Sequence, residues 1–292
     1  MLWIVLTAAA APLQVARNAL QRGLIGDAGP WGATLVRFLF GLPFALAIFA
    51  AVAFATPDAA PQFSWRFALA VASGAAGQVA ATAALLVAMR RSGFAVATFM
   101  QQSSLPLAAL MGLLVGDHLG PRAWVGVAAT TVGLAILSWP KADAEKGAGR
   151  GALFGLASGL AFGVTLNAYR QAGVALDPAH PIYAATASVC VAQTLQSLGL
   201  LIFLGLTRPA ALRAVMASWR QSLGAGFFGA AASACWFAAL AMAPAGAVRA
   251  VGVIEAPIAA AAGRRLFKEK LSPRQMFGGL ATAIGVVMTA LG

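Results

Sequence analysis

The sequence contains few acidic side chains and few of the residues that hold metals or act as nucleophiles. Its 292 residues include eight Asp and Glu, two Cys and two His. Cys190 and Cys235 lie in apolar stretches without Cys-x-x-Cys spacing, and His118 and His180 lie in separate turns. A phosphate-binding Gly-x-x-x-x-Gly-Lys-Ser/Thr segment is also absent. These absences argue against a metalloenzyme and an ATP-driven pump, and we expect no cofactor and no metal.

Apolar residues are what the sequence has in excess. The chain is 61% hydrophobic and 10% charged, with a mean hydropathy of +0.83, whereas soluble domains are near half apolar and a quarter charged. A formal net charge of +12 could suggest nucleic-acid binding, but the basic residues are spread over short turns and form no continuous stripe. Such charges are typical of turns that flank a membrane. We therefore expect the lipid bilayer as a partner, and no nucleic acid.

Ten apolar windows have the length that a helix needs to span a bilayer, about 20 residues. None alternates in polarity as the strands of a membrane barrel do. The sequence therefore predicts an all-α polytopic membrane protein with ten transmembrane helices. The windows are residues 2–20, 31–54, 65–88, 93–115, 121–139, 150–170, 181–205, 218–242, 245–265 and 273–291.

Matched motifs divide the chain into two halves. The matched pairs are Pro106 with Pro257 at an offset of 151, and Leu119, Pro121 and Gly126 with Leu271, Pro273 and Gly278 at an offset of 152. Duplicated halves in so apolar a chain are typical of secondary transporters, whose solute site lies between the repeats. We predict a first five-helix repeat in residues 1–140, a cytoplasmic linker in 141–149 and a second repeat in 150–292.

The distribution of Lys and Arg predicts the orientation in the membrane. The turns after segments one, three, five, seven and nine hold fourteen basic residues, and the opposite turns hold three: Arg66, Arg122 and Arg170. By the positive-inside tendency, the first set of turns is cytoplasmic and both termini are periplasmic.

Polar side chains within apolar segments mark candidate functional positions, because they are costly in hydrocarbon and usually face the bundle interior. Gln78 and Thr82 share a helical face. We predict a solute-binding cavity with amide, hydroxyl and aromatic walls. Its candidate residues are Gln78, Thr82, Phe94, Thr98, Gln101, Asn167, Ser233, Trp236 and Phe237. The alternative for each polar residue is a hydrogen bond that only joins neighbouring helices.

Glu255 is the carboxylate that falls within a predicted segment, and Arg17, Arg37 and Arg249 are the three basic residues that the charge count does not assign to turns. A carboxylate in hydrocarbon must be protonated or paired. Glu255 is therefore a candidate proton-coupling group, together with Arg17. The alternatives are a static ion pair with one of the three arginines, or a polar contact with a helix end.

Prolines and glycines predict how the segments bend and pack. Pro106 and Pro257 lie in mid-segment, where each removes a backbone hydrogen bond. They are candidate hinges for alternating access, and the alternative is a fixed kink that shapes the cavity. Gly155, Gly159 and Gly163 recur every four residues, which predicts close approach of a neighbouring helix.

The order of these motifs resembles a known family. They are Met242-Ala243-Pro244-Ala245-Gly246-Ala247, Glu255-Ala256-Pro257, Lys268-Glu269-Lys270-Leu271, Gly278 and Gly285 in the second half, and Arg37-Phe38 and Gly116-Asp117-His118-Leu119 in the first. The chain resembles the EamA-type exporters of the drug/metabolite transporter superfamily. Asp117 and His118 depart from the glutamate that is usual in that turn.

The resemblance implies a bacterial inner-membrane exporter, not an enzyme, with two inverted five-helix repeats around a central cavity. It is most similar to exporters of aromatic and neutral amino acids, so we expect a small amphipathic substrate. Export of drugs, nucleosides or other metabolites is the alternative, and a channel or membrane scaffold is a different class. Because one chain holds both repeats, we expect a monomer.

Overall fold

The computed structural model of the chain describes residues 1–138, 148–267 and 273–290, and the regular secondary structure in those ranges is helical throughout. Most of the predicted linker, residues 141–147, and the Lys268–Leu271 motif lie outside the described residues. The helices are α1 (Leu2–Gly23), α2 (Ile25–Leu39), α3 (Leu42–Ala55), α4 (Trp65–Ser92), α5 (Phe94–Gln101), α6 (Ser104–Leu114), α7 (Pro121–Ser138), α8 (Ala148–Leu176), α9 (Pro181–Thr207), α10 (Pro209–Ala217), α11 (Trp219–Met242), α12 (Ala245–Gly252), α13 (Glu255–Phe267) and α14 (Pro273–Ala290).

Each of the ten predicted windows falls on helix where it is described, and the fold class is confirmed as an all-α, multi-pass membrane protein. Among the described residues, six helical runs are long and apolar enough to cross a membrane by themselves, so the count of ten spans stays a prediction. These runs are Ala28–Ala55, Trp65–Ser92, Arg150–Leu176, Pro181–Thr207, Trp219–Met242 and Ala245–Leu266. The short helix α10 was not predicted, because its nine residues lie in what the sequence presents as a basic turn.

The helices form two compact units, and each unit combines segments from both halves of the sequence. Unit 1 comprises Met1–Val79 and Thr165–Ala243, and unit 2 comprises Ala80–Val164 and Pro244–Gly292. Two of the three boundaries fall inside the long helices α4 and α8, and the third lies between α11 and α12. Each predicted repeat is continuous in sequence, whereas each compact unit combines segments from both repeats. The boundaries of the repeats and of the units therefore lie at different residues.

In unit 1, α11 approaches the junction of α2 and α3 closely. A Cβ atom at Gly226 of α11 would lie 2.8 Å from the backbone nitrogen of Gly41 and closer still to the Phe40 carbonyl. Gly229 lies one turn further along α11, and a Cβ atom there would meet the side chains of Arg17 and Arg37 at 3.4 and 3.1 Å. The close approach of backbone therefore requires glycine at position 226, whereas at position 229 a larger residue would need the arginine side chains to move by a few tenths of an ångström.

Asp177 fixes the turn between α8 and α9 to the segment that precedes α4. Its carboxylate accepts hydrogen bonds from the backbone N–H groups of Ala60, Ala179 and His180, each at 3.1 Å, and lies 3.0 Å from Nδ1 of His180. Burial opposes its ionisation, but the hydrogen bonds from His180 and Ala60 outweigh burial and lower the pKa of Asp177 below its ordinary value. The ionised carboxylate thus caps the turn outside the helices.

Arg170 caps the end of α11. Its Nη1 donates hydrogen bonds to the carbonyl oxygens of Leu240 and Ala243, at 3.0 and 2.8 Å. These are among the last carbonyls of α11, which lack partners within the helix. The sixth predicted window ends at Arg170, which the charge count assigned to the following turn, whereas α8 continues past it to Leu176.

In unit 2, the fourth and ninth segments are both interrupted just before a proline. The first breaks between α5 and α6 and the second between α12 and α13. Pro106 and Pro257 cannot donate to the carbonyls of Gln102 and Val253, four residues earlier. The preceding residues, Leu105 and Ala256, donate to those same carbonyls instead, at 2.9 and 2.8 Å. The tighter three-residue turn therefore replaces one α-helical turn at matched positions.

Helices α7 and α14 meet through reciprocal contacts at the predicted offset of 152 residues. A Cβ at Gly133 would lie 2.6 Å from the backbone nitrogen of Thr282, and one at Gly285 would lie 2.5 Å from that of Thr130. Gly133 of α7 thus contacts Thr282, the counterpart of Thr130, and Thr130 contacts Gly285, the counterpart of Gly133. Such an exchange is the pattern of a two-fold interface.

The glycine stripe of α8 lies against the broken segment formed by α5 and α6. Cβ atoms at Gly159 and Gly163 would collide with the Ser103 side chain and with Leu107, the latter at 2.9 Å. Gly155 likewise faces Met100. The close approach that the stripe predicts therefore occurs at the interruption itself.

We expect Gly226→Ala to lower the free energy of unfolding by about 1–3 kcal/mol, because its methyl group would overlap backbone that cannot rotate away. Thermal denaturation in detergent measures this. Gly224→Ala in the same helix is the control: its methyl would meet only the flexible end of Leu20 at 3.3 Å, and alanine favours helix by about 0.5–1 kcal/mol. Equal melting temperatures for the two variants would contradict the described packing.

Candidate functional site

Three buried polar side chains of unit 1 form a hydrogen-bonded cluster. The Tyr169 hydroxyl of α8 donates to Oε1 of Gln78 on α4, at 3.0 Å. Nε2 of Gln196 on α9 lies 2.8 Å from the same oxygen, 3.1 Å from the Tyr169 hydroxyl and 3.2 Å from the Ala75 carbonyl. The cluster therefore joins three helices of the unit through neutral groups.

Aromatic surface covers this cluster. The Phe237 ring of α11 lies against the Tyr169 ring, with centroids 3.9 Å apart. Gly74 leaves the space for Tyr169, because a Cβ there would come within 2.6 Å of the ring. The side chains of Tyr169 and Phe237 are 2% and 3% exposed. Together with the amides they make a site of two stacked rings and two carboxamides, which we call the amide–aromatic cluster (Gln78, Tyr169, Gln196, Phe237).

Two buried arginines lie in the same unit. Arg37 donates to the Ser233 hydroxyl at 3.4 Å, and Arg17 donates twice to Oδ1 of Asn18, at 3.1 and 2.6 Å. Ser233 precedes Phe237 by four residues on α11, so the two side chains share a helical face. The Arg37 guanidinium thus lies on the face of α11 that also carries one ring of the amide–aromatic cluster.

Unit 2 contains a second polar cluster, centred on Arg249 of α12. Its Nε donates to the Ser104 hydroxyl at 2.6 Å, Nη2 donates to Oε1 of Gln102, and Nη1 lies 3.4 Å from Oε2 of Glu255. Ser104 and Glu255 are the first residues of α6 and α13. The guanidinium therefore binds both interrupted segments at their breaks, and we call this set the Arg249 cluster.

The predicted cavity residues are divided between the two units. Unit 1 holds Gln78, Asn167, Ser233, Trp236 and Phe237, and unit 2 holds Thr82, Phe94, Thr98 and Gln101; all nine are buried. The Thr98 hydroxyl donates to the Phe94 carbonyl within its own helix, at 2.9 Å. Oε1 of Gln101 has no hydrogen-bond partner among the described residues.

The predicted coupling and hinge residues are also divided. Arg17 lies in unit 1, and Glu255, Pro106 and Pro257 lie in unit 2. The structure pairs Glu255 with Arg249, as the ion-pair alternative expected. Whether Glu255 couples to protons and whether the prolines are hinges stay predictions. Among the described residues, no three His, Cys, Asp or Glu side chains lie close enough together to hold a metal ion.

Five residues of these clusters were not in the predicted site: Tyr169, Gln196, Arg249, Gln102 and Ser104. Gln196 and Gln102 are polar residues within apolar segments, and this pattern marked them as candidates. The sequence does not indicate which of these amides lie in contact with each other. Tyr169 is one of two tyrosines in the chain, and its stretch Asn167-Ala168-Tyr169-Arg170-Gln171 aligns with Asn18-Ala19-Leu20-Gln21-Arg22 of the first half at an offset of 149. Its rarity was a signal that could have singled it out.

We expect Arg249→Met to destabilise the protein by about 3–5 kcal/mol, because it leaves a buried carboxylate without its cation. Glu255→Gln should also destabilise the protein. The double variant should lose about 1–3 kcal/mol less stability than the sum of the losses in the two single variants. Detergent unfolding of the four proteins gives this coupling energy. Arg264→Met, at an exposed position of α13, is the control and should change stability by less than about 0.5 kcal/mol. Strict additivity would contradict the ion pair.

Comparison with known proteins adds two findings. Residues 149–291 match the EamA-like transporter family, and no curated protein sequence matches the chain significantly. A solved crystal structure of another protein aligns with 99% of this chain and 96% of its own chain, with 17% sequence identity and a TM-score of 0.61. At this identity, the similarity shows a shared fold. The chain is therefore a multi-pass membrane protein whose second half, residues 149–291, matches the EamA-like transporter family.

Proposed function

We propose that this protein is a secondary active transporter that exports small amphipathic metabolites, with aromatic and neutral amino acids as its preferred substrates. The multi-pass helical fold and the match of residues 149–291 to a transporter family support the transporter class. The substrate class is our inference from the chemistry of the buried polar groups.

The observation that carries this proposal is the amide–aromatic cluster of unit 1. Carboxamides and a phenol offer donors and acceptors without net charge, and the paired rings of Tyr169 and Phe237 offer a surface for an aromatic or aliphatic side chain. Arg37, on the same face of α11 as Phe237, supplies a cation that complements an amino-acid carboxylate. This combination suits a small solute with a carboxylate and an apolar body.

The proline interruptions of unit 2 are the proposed moving parts. Each break replaces α-helical hydrogen bonds by a tighter turn next to Pro106 or Pro257, and a helix bends most readily where a proline interrupts its hydrogen bonds. The Arg249 cluster holds both breaks in one arrangement. Protonation of Glu255 would remove its negative charge and so weaken its contact with Arg249. We propose that a proton gradient couples to export through this change.

The cellular placement is proposed from charge alone. The excess of Lys and Arg in the turns after segments one, three, five, seven and nine favours a cytoplasmic location for those turns in a bacterial inner membrane, with periplasmic termini. We propose that the monomer is the functional form.

Tyr169→Phe tests the substrate site. Loss of the hydroxyl removes hydrogen bonds to Gln78 and Gln196, and we expect the apparent kcat/KM for tryptophan, phenylalanine or leucine in proteoliposomes to fall about tenfold, as removal of a buried hydrogen bond predicts. The matched control is Tyr183→Phe, the same chemical change in the same unit, at a ring that packs edge-on against Phe49 with centroids 5.3 Å apart.

Equal rates for wild type and Tyr169→Phe on every amino acid would contradict the proposed site. Uptake of cationic drugs or nucleosides without uptake of amino acids would retain the transporter class and overturn the substrate class.

A further inference from the structure

An apolar groove of about 520 Å³ opens on the side of unit 1, between α2, α4 and α9. The rings of Trp31 and Phe203, 5.4 Å apart, form one part of its wall. Small residues such as Ala72, Ala76 and Gly199 leave the space within it. Helices α4 and α9 are membrane-length, and Phe203 is 37% exposed, so we expect the open side of the groove to face hydrocarbon.

The dimensions of the groove suit one hydrocarbon chain. Its volume lies within the range of ligand pockets, about 300–1,000 Å³. From Leu195 to Phe203, α9 rises about 12 Å at 1.5 Å per residue, close to the depth of one leaflet, about 15 Å. An extended acyl chain that follows α9 would therefore lie along the whole groove.

A basic surface lies beyond the end of α9. Arg208 follows Phe203 by five residues, a rise of about 7–8 Å, and Arg213 lies on α10; both side chains are exposed. The sequence contains no Asp or Glu from residue 178 to residue 254. This surface therefore attracts anions without competing carboxylates from the same stretch of chain.

Helix α10 is held on unit 1 beside Trp31. Val215 of α10 is fully buried, and its Cγ2 would lie 3.1 Å from a Cβ at Gly32, the residue after Trp31. The exposed side chains around it include Leu206, Met216 and Trp219, which are 81%, 51% and 47% exposed. Exposed apolar and aromatic residues among arginines are typical of a helix at the bilayer interface.

We propose that unit 1 binds one anionic phospholipid, with its acyl chain in the groove and its phosphate held by Arg208 and Arg213. Guanidinium groups bind phosphate oxygens through charge-assisted hydrogen bonds, and basic residues at the membrane surface favour anionic lipids. Gln196 of the amide–aromatic cluster also lines this groove, but the lipid proposal does not depend on the proposed transport function, because lipid binding is measured without any transported solute.

The test is photolabelling in nanodiscs of unlabelled phosphatidylcholine. Phosphatidylglycerol and phosphatidylcholine probes, each with a diazirine in the acyl chain, are crosslinked, and the labelled peptides are mapped by mass spectrometry. We expect the phosphatidylglycerol probe to label residues 72–79 and 195–203 at least about fivefold more than the phosphatidylcholine probe, the selectivity that one arginine confers. Arg208→Gln/Arg213→Gln should abolish that preference, and Gly199→Leu should reduce labelling by both probes.

Matched controls separate the two parts of the site. A Cβ at Gly199 has no neighbour within 4 Å, so a side chain there starts in open space within the groove, and Gly205→Leu places the same side chain in the same helix outside the groove, where a Cβ has only Leu212 at 3.9 Å. Gly205→Leu and Arg264→Gln/Arg265→Gln should label like wild type. The proposal is overturned by equal labelling with both probes, by a preference that survives the arginine substitutions, by labelling that Gly199→Leu leaves unchanged, or by displacement with excess glycerol phosphate, which would indicate a site for the free anion.

Discussion

The constraint on which this structure depends is that hydrocarbon offers no partner for a polar group. Every carbonyl freed by a proline and every buried charge must therefore be satisfied by the chain itself. At the two interruptions of unit 2, Leu105 and Ala256 take over the carbonyls that Pro106 and Pro257 leave, and the Arg249 side chain binds the first residue of each following helix. The irregular backbone persists because these partners are in place.

The two polar clusters have different physical characters, and this difference underlies their proposed roles. The Arg249 cluster contains a buried ion pair, which costs desolvation and is strongly destabilised when one partner is removed. Such a pair can hold the two helix breaks in one arrangement and release them when the pair is broken. The amide–aromatic cluster is neutral, so it can exchange hydrogen bonds with a solute at lower cost. The glycines of α8 and α11 support both clusters, since they bring neighbouring helices close enough for short side chains to contact one another.

Much of the fold could be predicted from the sequence, because long apolar runs and glycine spacing report on each helix alone. The positions of Gln78 and Phe237 in helices were predictable for the same reason. Their meeting with Tyr169 and Gln196 was not, since it depends on which segments share a compact unit, and both units combine segments from the two halves. Helix α10 was missed because its pattern is short and basic. The pairing of Glu255 with Arg249, six residues away, was one of three possibilities that burial alone could not separate.

The most direct test of the central claim, transport by alternating access, is counterflow in proteoliposomes. Vesicles with purified protein are loaded with an unlabelled aromatic or neutral amino acid and diluted into a trace of the same labelled compound. The account predicts that label accumulates transiently above its equilibrium level, because each outward trip of a loaded site returns with label. Monotonic equilibration without an overshoot would indicate a channel, and no flux for any tested solute would indicate a non-transporting membrane protein; either result would contradict the account.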